Sequence, residues 1–223
     1  MRLSAKLLGL VCLAFAVSTA TAAPFKKLVW EDLLPKFENE LVDPLAAFEL
    51  YRRLEVETIV WAKSLSDQQR SDEDYKAGVE DAETYEREMR EKGIDTDKLI
   101  REYKVWQRAT DERAQKLNTK LNGKEIKIAG YLLPLQFSEK GETEFLLVPY
   151  VGACIHAPTP PPNQIVFVET KQSFKTEDLY TPVWVSGTLR TQLSSKALSF
   201  VDGSADVPVG YNLAAVSVEV YSE

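Results

Sequence analysis

Histidine and cysteine are almost missing from this chain. One histidine, His156, and two cysteines, Cys12 and Cys154, are all that its 223 residues hold. A zinc site draws three or four ligands from cysteine, histidine and carboxylates, so a site here would lean on acids or on a second chain. No C-x-x-C pair exists, which speaks against a dithiol oxidoreductase. Basic runs are missing as well. The formal charge is −7, and an acidic chain without a basic cluster is a poor candidate for nucleic acid or anionic lipid. Beyond residue 17 no apolar run is long enough to cross a bilayer, and no internal repeat is visible.

The N-terminus is a leader. Arg2 and Lys6 form a basic start, residues 7–17 form an apolar run, and Ala20 and Ala22 stand in an A-x-A arrangement. This is the pattern of a secretory signal peptide over residues 1–22, cut after Ala22, and it places the mature protein in the periplasm. Cys12 does not read as a lipoprotein cysteine, because Val11 precedes it where a small residue is expected. Loss of the leader lowers the charge from −7 to −9, since Arg2 and Lys6 leave and no acid does. One cysteine remains, so no intramolecular disulfide can form. A lone thiol in an oxidising compartment needs burial, a metal or an outside partner.

Composition then divides the chain. After a lead-in over 23–42, residues 43–118 are highly charged and read as helices. Asp43-Pro44 is a start signal, an N-cap acceptor followed by proline at the first helical position. Apolar residues from Leu45 to Trp61 follow at helical spacing, to about residue 64. The polar stretch SLSDQQRSDED reads as a turn. A second helix spans 72–92 and stops at Gly93; its few apolar residues make it solvent-exposed or partner-seeking. The third starts at Asp95 or Thr96. Leu99, Tyr103, Trp106, Thr110, Arg113 and Leu117 step along it by four and three, which predicts packing on a neighbour.

Residues 119–223 read as strands, predicted at 124–135, 144–152, 165–169, 182–190 and 211–221, with alternation clearest in the first and last. Gly130 predicts a bend or bulge and Pro134 a limit to central pairing. Five short strands fit a small OB-like β-barrel, so the fold class is α+β, a helical region followed by that barrel. Tyr150, Tyr180, Trp184 and Tyr211 are candidates to line it. This half carries 8 Lys+Arg against 11 Asp+Glu, which disfavours the oligonucleotide role of such barrels.

The motif that stands out is VGACIHAPTPPPNQ, residues 151–164. In an extended chain Cys154 and His156 point to one face, where thiolate and imidazole suit zinc or copper. Further ligands would come from Glu142, Glu144, Asp202 or a partner. The same pair could act as nucleophile and base, but no third orienting group or oxyanion hole is identifiable. Pro158, Pro160, Pro161 and Pro162 favour a stiff extended arm, with Asn163 and Gln164 supplying hydrogen bonds that prolines cannot. A buried structural corner, a metal site and a partner-binding arm all stay open.

The segments GKEIKIAGYLLPL, EFLLVPYVGACIHAPTPPPNQIVFV and PVWVSGTL together resemble a family of exported proteobacterial proteins classed as a domain of unknown function. The resemblance covers roughly residues 121–221 and leaves out the helical half. Thr159 stands where the family usually has another proline. Members tend to be encoded near ABC-type transport components and metal-regulated periplasmic proteins. The resemblance therefore implies a non-enzymatic periplasmic accessory of envelope transport or metal handling, acting by partner or metal binding.

Overall fold

The computed structural model describes residues 25–136, 141–153, 159–175, 181–200 and 203–221. Four helices precede most of the sheet: α1 (Leu50–Ala62), α2 (Asp67–Arg70), α3 (Glu73–Glu91) and α4 (Thr96–Ala114). Their ends follow local chemistry. The Asp72 carboxylate accepts from the Asp74 N–H and caps α3, and Asp95 accepts from the Lys98 N–H and caps α4. Gly93, at φ 79°, takes the left-handed conformation that closes α3, and the Ile94 N–H reaches back to the Met89 carbonyl.

Three expectations shift. Asp43 caps a turn and does not open a helix. One of its oxygens accepts the Leu45 N–H at 2.8 Å and the other pairs with Arg53 at 2.6 Å. That turn buries Leu45, and α1 begins only at Leu50, after an extended Glu49. The polar stretch before α3 holds the short α2, opened by a reciprocal capping box between Ser66 and Gln69. The second predicted helix also has a covered side. Val79, Ala82 and Met89 of α3 join Val56, Ile59 and Ala62 of α1 and Ile100 and Tyr103 of α4 in one apolar cluster.

The sheet has six strands: β1 (Lys26–Leu28), β2 (Lys124–Pro134), β3 (Glu142–Val148), β4 (Val166–Phe174), β5 (Pro182–Phe200) and β6 (Gly203–Val220). β2 pairs with β3 through Tyr131 to Pro134 and with β5 through Lys124 to Tyr131, both antiparallel. β3 pairs with β4, β4 runs parallel to β6, and β6 pairs with β5. The pairings therefore start from β2 and return to it. Alternate residues from these strands (Ile126, Ile128, Phe145, Leu147, Val166, Val168, Val183, Val185) meet in one buried cluster, as period-two side chains must when one face is enclosed.

Three features depart from the sequence reading. The lead-in contributes β1, parallel to β2, with Leu28 buried in that cluster. Gly130 is neither bend nor bulge, since it pairs regularly with Val183. It is a contact point: a Cβ there would meet the Val148 carbonyl at 2.7 Å and the Trp30 ring at 2.9 Å, and the Trp30 indole donates to the Ala129 carbonyl. Finally, β5 and β6 run far past their predicted limits at 190 and 211. They form a long hairpin, bulged between Thr191 and Ser194, that folds over the other face of the sheet. Leu198, Val207 and Val209 of the hairpin pack there on Leu133, Leu146, Val148 and Phe167, and the Ser199 N–H donates to the Leu135 carbonyl.

Candidate functional site

Cys154, His156 and Pro158 lie outside the described residues, as do Asp202 and Tyr180. Residues 151–153 and 159–164 flank the segment of Cys154 and His156. Ala153 is buried in the cluster under the long hairpin, following Gly152 at φ 77°. On the far side Thr159 and Pro161 are exposed and Pro160 is buried. Pro162, Asn163 and Gln164 then form one 3₁₀ turn that opens β4. Glu144 is exposed, and Glu142 sits opposite Phe174 across a register shift. Among the described residues no three Cys, His, Asp or Glu side chains gather as a metal site.

The 3₁₀ turn joins the two halves of the chain. Asn163 is 2% exposed. Its amide donates to the carbonyls of Arg113 at 2.9 Å and Lys116 at 3.2 Å. The Arg113 carbonyl also accepts the Gln115 and Lys116 N–H groups, and Lys116 lies just past the end of α4, so the amide reinforces the closing turn of that helix. The Gln164 amide donates to the Trp30 carbonyl at 3.0 Å. Asn118 adds a second tie, its amide donating to the Asp32 carbonyl and its backbone N–H to the Tyr211 hydroxyl. Tyr211 is fully buried and donates in turn to the Leu33 carbonyl. Burial raises the pKa of this phenol, partly offset by the Asn118 N–H. Both amides proposed for partner binding thus bond within the chain, and it is Pro161, just before this turn, that is exposed.

Of the aromatic candidates, Tyr211 belongs to the enclosed core. Trp184 lies on the opposite face of its strand from Val183 and Val185. It stacks on Tyr221 at 5.2 Å, with the Lys27 ammonium 4.4 Å from its ring. Tyr150 is 40% exposed.

The helical region presents a different surface. A groove of about 890 Å³ between α1 and α4 is lined by Glu57, Val60, Trp61, Tyr103, Lys104 and Arg108, among others. The Tyr103 hydroxyl donates to the Glu57 carboxylate at 3.2 Å. Burial, and next the charge of Glu57, push the Tyr103 pKa up to about 12. Along α1, Leu50 is 72% exposed, Tyr51 60%, Leu54 53% and Trp61 38%. Sequence reasoning had Trp61 and Tyr103 as helix-packing residues and passed over Lys104 and Arg108, because nothing in their spacing separates a groove wall from a solvated face. A second cleft, of about 520 Å³, opens where β4 and β6 part beyond the Thr170–Ala215 pair.

These features define a mixed α+β protein in which a six-stranded sheet carries a helical region on a hydrogen-bonded joint. No helix among the described residues is long and apolar enough to cross a membrane. Residues 30–220 match the family described as "Protein of unknown function (DUF3299)", and the chain belongs to that family. The match is wider than the motif-bearing half and takes in the helices. A crystal structure of a DUF3299 family protein from Pseudomonas aeruginosa is similar at 25% identity, over 90% of this chain and 99% of that one, with a TM-score of 0.48. Comparison with curated proteins returns no match.

Proposed function

We propose that this is an exported, non-enzymatic periplasmic protein that assists an envelope transport system of the ABC type, or metal handling linked to one, by binding a partner. In this reading residues 1–22 are the cleaved leader and the ring of pairings β2–β3–β4–β6–β5 is an OB-like barrel. The closing β2–β5 pairing and the cluster enclosed by the strands of the ring support the barrel. The observation that carries the partner role is the open apolar side of α1, with Leu50, Tyr51 and Leu54 exposed, and beside them the open part of Trp61, whose ring otherwise lies against Gly78 and Tyr75 of α3. Single apolar residues at a surface are ordinary, but a row of them on one element marks an interaction surface.

The test is photo-cross-linking in the cells that make the protein, with the reactive group placed in turn on α1, on the long hairpin and on β6. A cross-link to an envelope transport component supports the proposal; no envelope protein captured from any position sinks it. Metal binding at Cys154 and His156 is tested beside it, by native mass spectrometry with zinc and copper(I). One stoichiometric metal, lost in both Cys154→Ser and His156→Ala, is expected if that pair is a site, and metal indifferent to both changes removes it.

A further inference from the structure

We infer that the α1–α4 groove receives an acidic amphipathic helix of the partner, its apolar side on α1 and its carboxylates toward α4. This rests on the partner-binding reading and adds to it the place and the chemistry. Leu50, Leu54 and Trp61 are separated by four and seven residues, so they lie along one line of α1. The line is roughly 16 Å long, about three helical turns. Val60 and Tyr103 continue its apolar floor into the groove.

Charge selects the occupant. The chain as a whole is acidic, at −7, yet the α4 wall of this groove presents two cations. Lys104 and Arg108 make no ion pair among the described residues; Arg87, Lys92 and Arg101 of the helical region make none either, but Lys104 and Arg108 are the two cations that line this groove. The Arg108 guanidinium has only a long hydrogen bond, 3.3 Å, to the Lys104 carbonyl. The one carboxylate in the groove, Glu57, stands on the α1 wall and is engaged by Tyr103. An apolar strip beside two unpaired cations is complementary to a helix with leucine-like residues on one side and glutamates along one flank. Recognition of that kind reuses the helix-in-groove mode, in which anchors at helical spacing give affinity and flanking charges give orientation.

The test uses two synthetic peptides of about 18 residues, five turns of helix, sharing one leucine face and differing only in a polar flank of glutamate or of lysine. Binding to the chain without its leader is read by fluorescence anisotropy at low and at physiological salt. The glutamate peptide should bind about tenfold more tightly, with the gap closing as salt rises. The double variant Lys104→Glu/Arg108→Glu, both at the surface, should reverse the preference while its circular dichroism stays that of the parent. Equal binding of the two peptides, or a preference that the charge swap leaves in place, overturns the inference. So does a concentration-dependent dimer in sedimentation that Leu54→Glu abolishes, because the occupant is then a second copy of this chain. If the peptides fail while cross-links from the hairpin or β6 still capture an envelope protein, the groove is wrong and the partner reading stands.

Discussion

In the β region, Phe145, Leu147, Val166, Val168 and Tyr211 are enclosed from every side, and the long hairpin covers part of the other face as well. In the helical region, α1, α3 and α4 share one modest cluster, and the far side of α1 leaves Leu50, Tyr51 and Leu54 in water. Strands whose pairings come back on themselves enclose every second side chain and leave outward ones, such as Val216 and Val220, exposed singly. Three helices joined by short turns cover one stripe each and leave the rest to solvent or to another molecule. The region that looks richer in chemistry, with its cysteine, histidine and prolines, uses the side-chain N–H groups of Asn163 and Gln164 to hold itself together. The region that looks like a plain charged face is the one left open.

The contrast can be attacked first at its strongest point. Phe145 is fully buried and packs edge-on to Phe174. Phe145→Ala should destabilise the chain by about 3–5 kcal/mol. Because the helices hang on the joint with the sheet, hydrogen exchange should speed up in both regions. Protection retained in α1, α3 and α4 would mean that the helical region stands without the sheet.

Asn163→Ala addresses that joint directly. It strips donors from the Arg113 and Lys116 carbonyls at the end of α4, and should cost about 1–3 kcal/mol. The helices should then exchange faster than β2, β5 and β6, so that urea melts followed by helical ellipticity and by sheet protection part company. A single coincident transition would show that Asn118 and Tyr211 suffice.

A smaller effect, confined to one side, is expected from Asp95→Ala. It removes the α4 cap and should cost about 1 kcal/mol, with faster exchange in the first turn of α4 and none in the sheet.

The mildest probe is alkaline titration. A tyrosine in the unfolded chain loses its proton near pH 10, and Tyr103 in the folded chain holds it to about 12. Its contribution is therefore whole below pH 10 and is lost as pH rises toward 12, where the unfolded state releases the proton first. Glu57→Gln removes a neighbouring negative charge and should bring the Tyr103 step to lower pH in the 295 nm absorbance, with Tyr103→Phe marking which step is its own.

Much of this was written locally. The caps at Asp72 and Asp95, the stop at Gly93, the strand cores at 124–134 and 182–190 and the break in composition after residue 118 are each signalled by a few neighbouring residues, because hydrogen-bonding side chains and period-two alternation act at short range. β1 was not visible, since three residues have no period. The hairpin beyond 190 was not visible either, since serines, glycines and aspartates break up the apolar residues between 191 and 210 and its inward set (Leu198, Val207, Val209) shows only once the partner strand is in place. The chemistry of the 151–164 motif was legible as residue types, but its described end acts elsewhere. Asn163 and Gln164 reach Arg113, Lys116 and Trp30, between 47 and 134 positions away. The sequence alone determined where charge, helix caps and alternating strands lie, because those depend on neighbours in the chain. Only the tertiary structure decided that a proline-asparagine-glutamine turn would hold a helix end, and that Lys104 and Arg108 would face an open groove. A buried amide's partner and a surface cation's lack of one are properties of what lies across space.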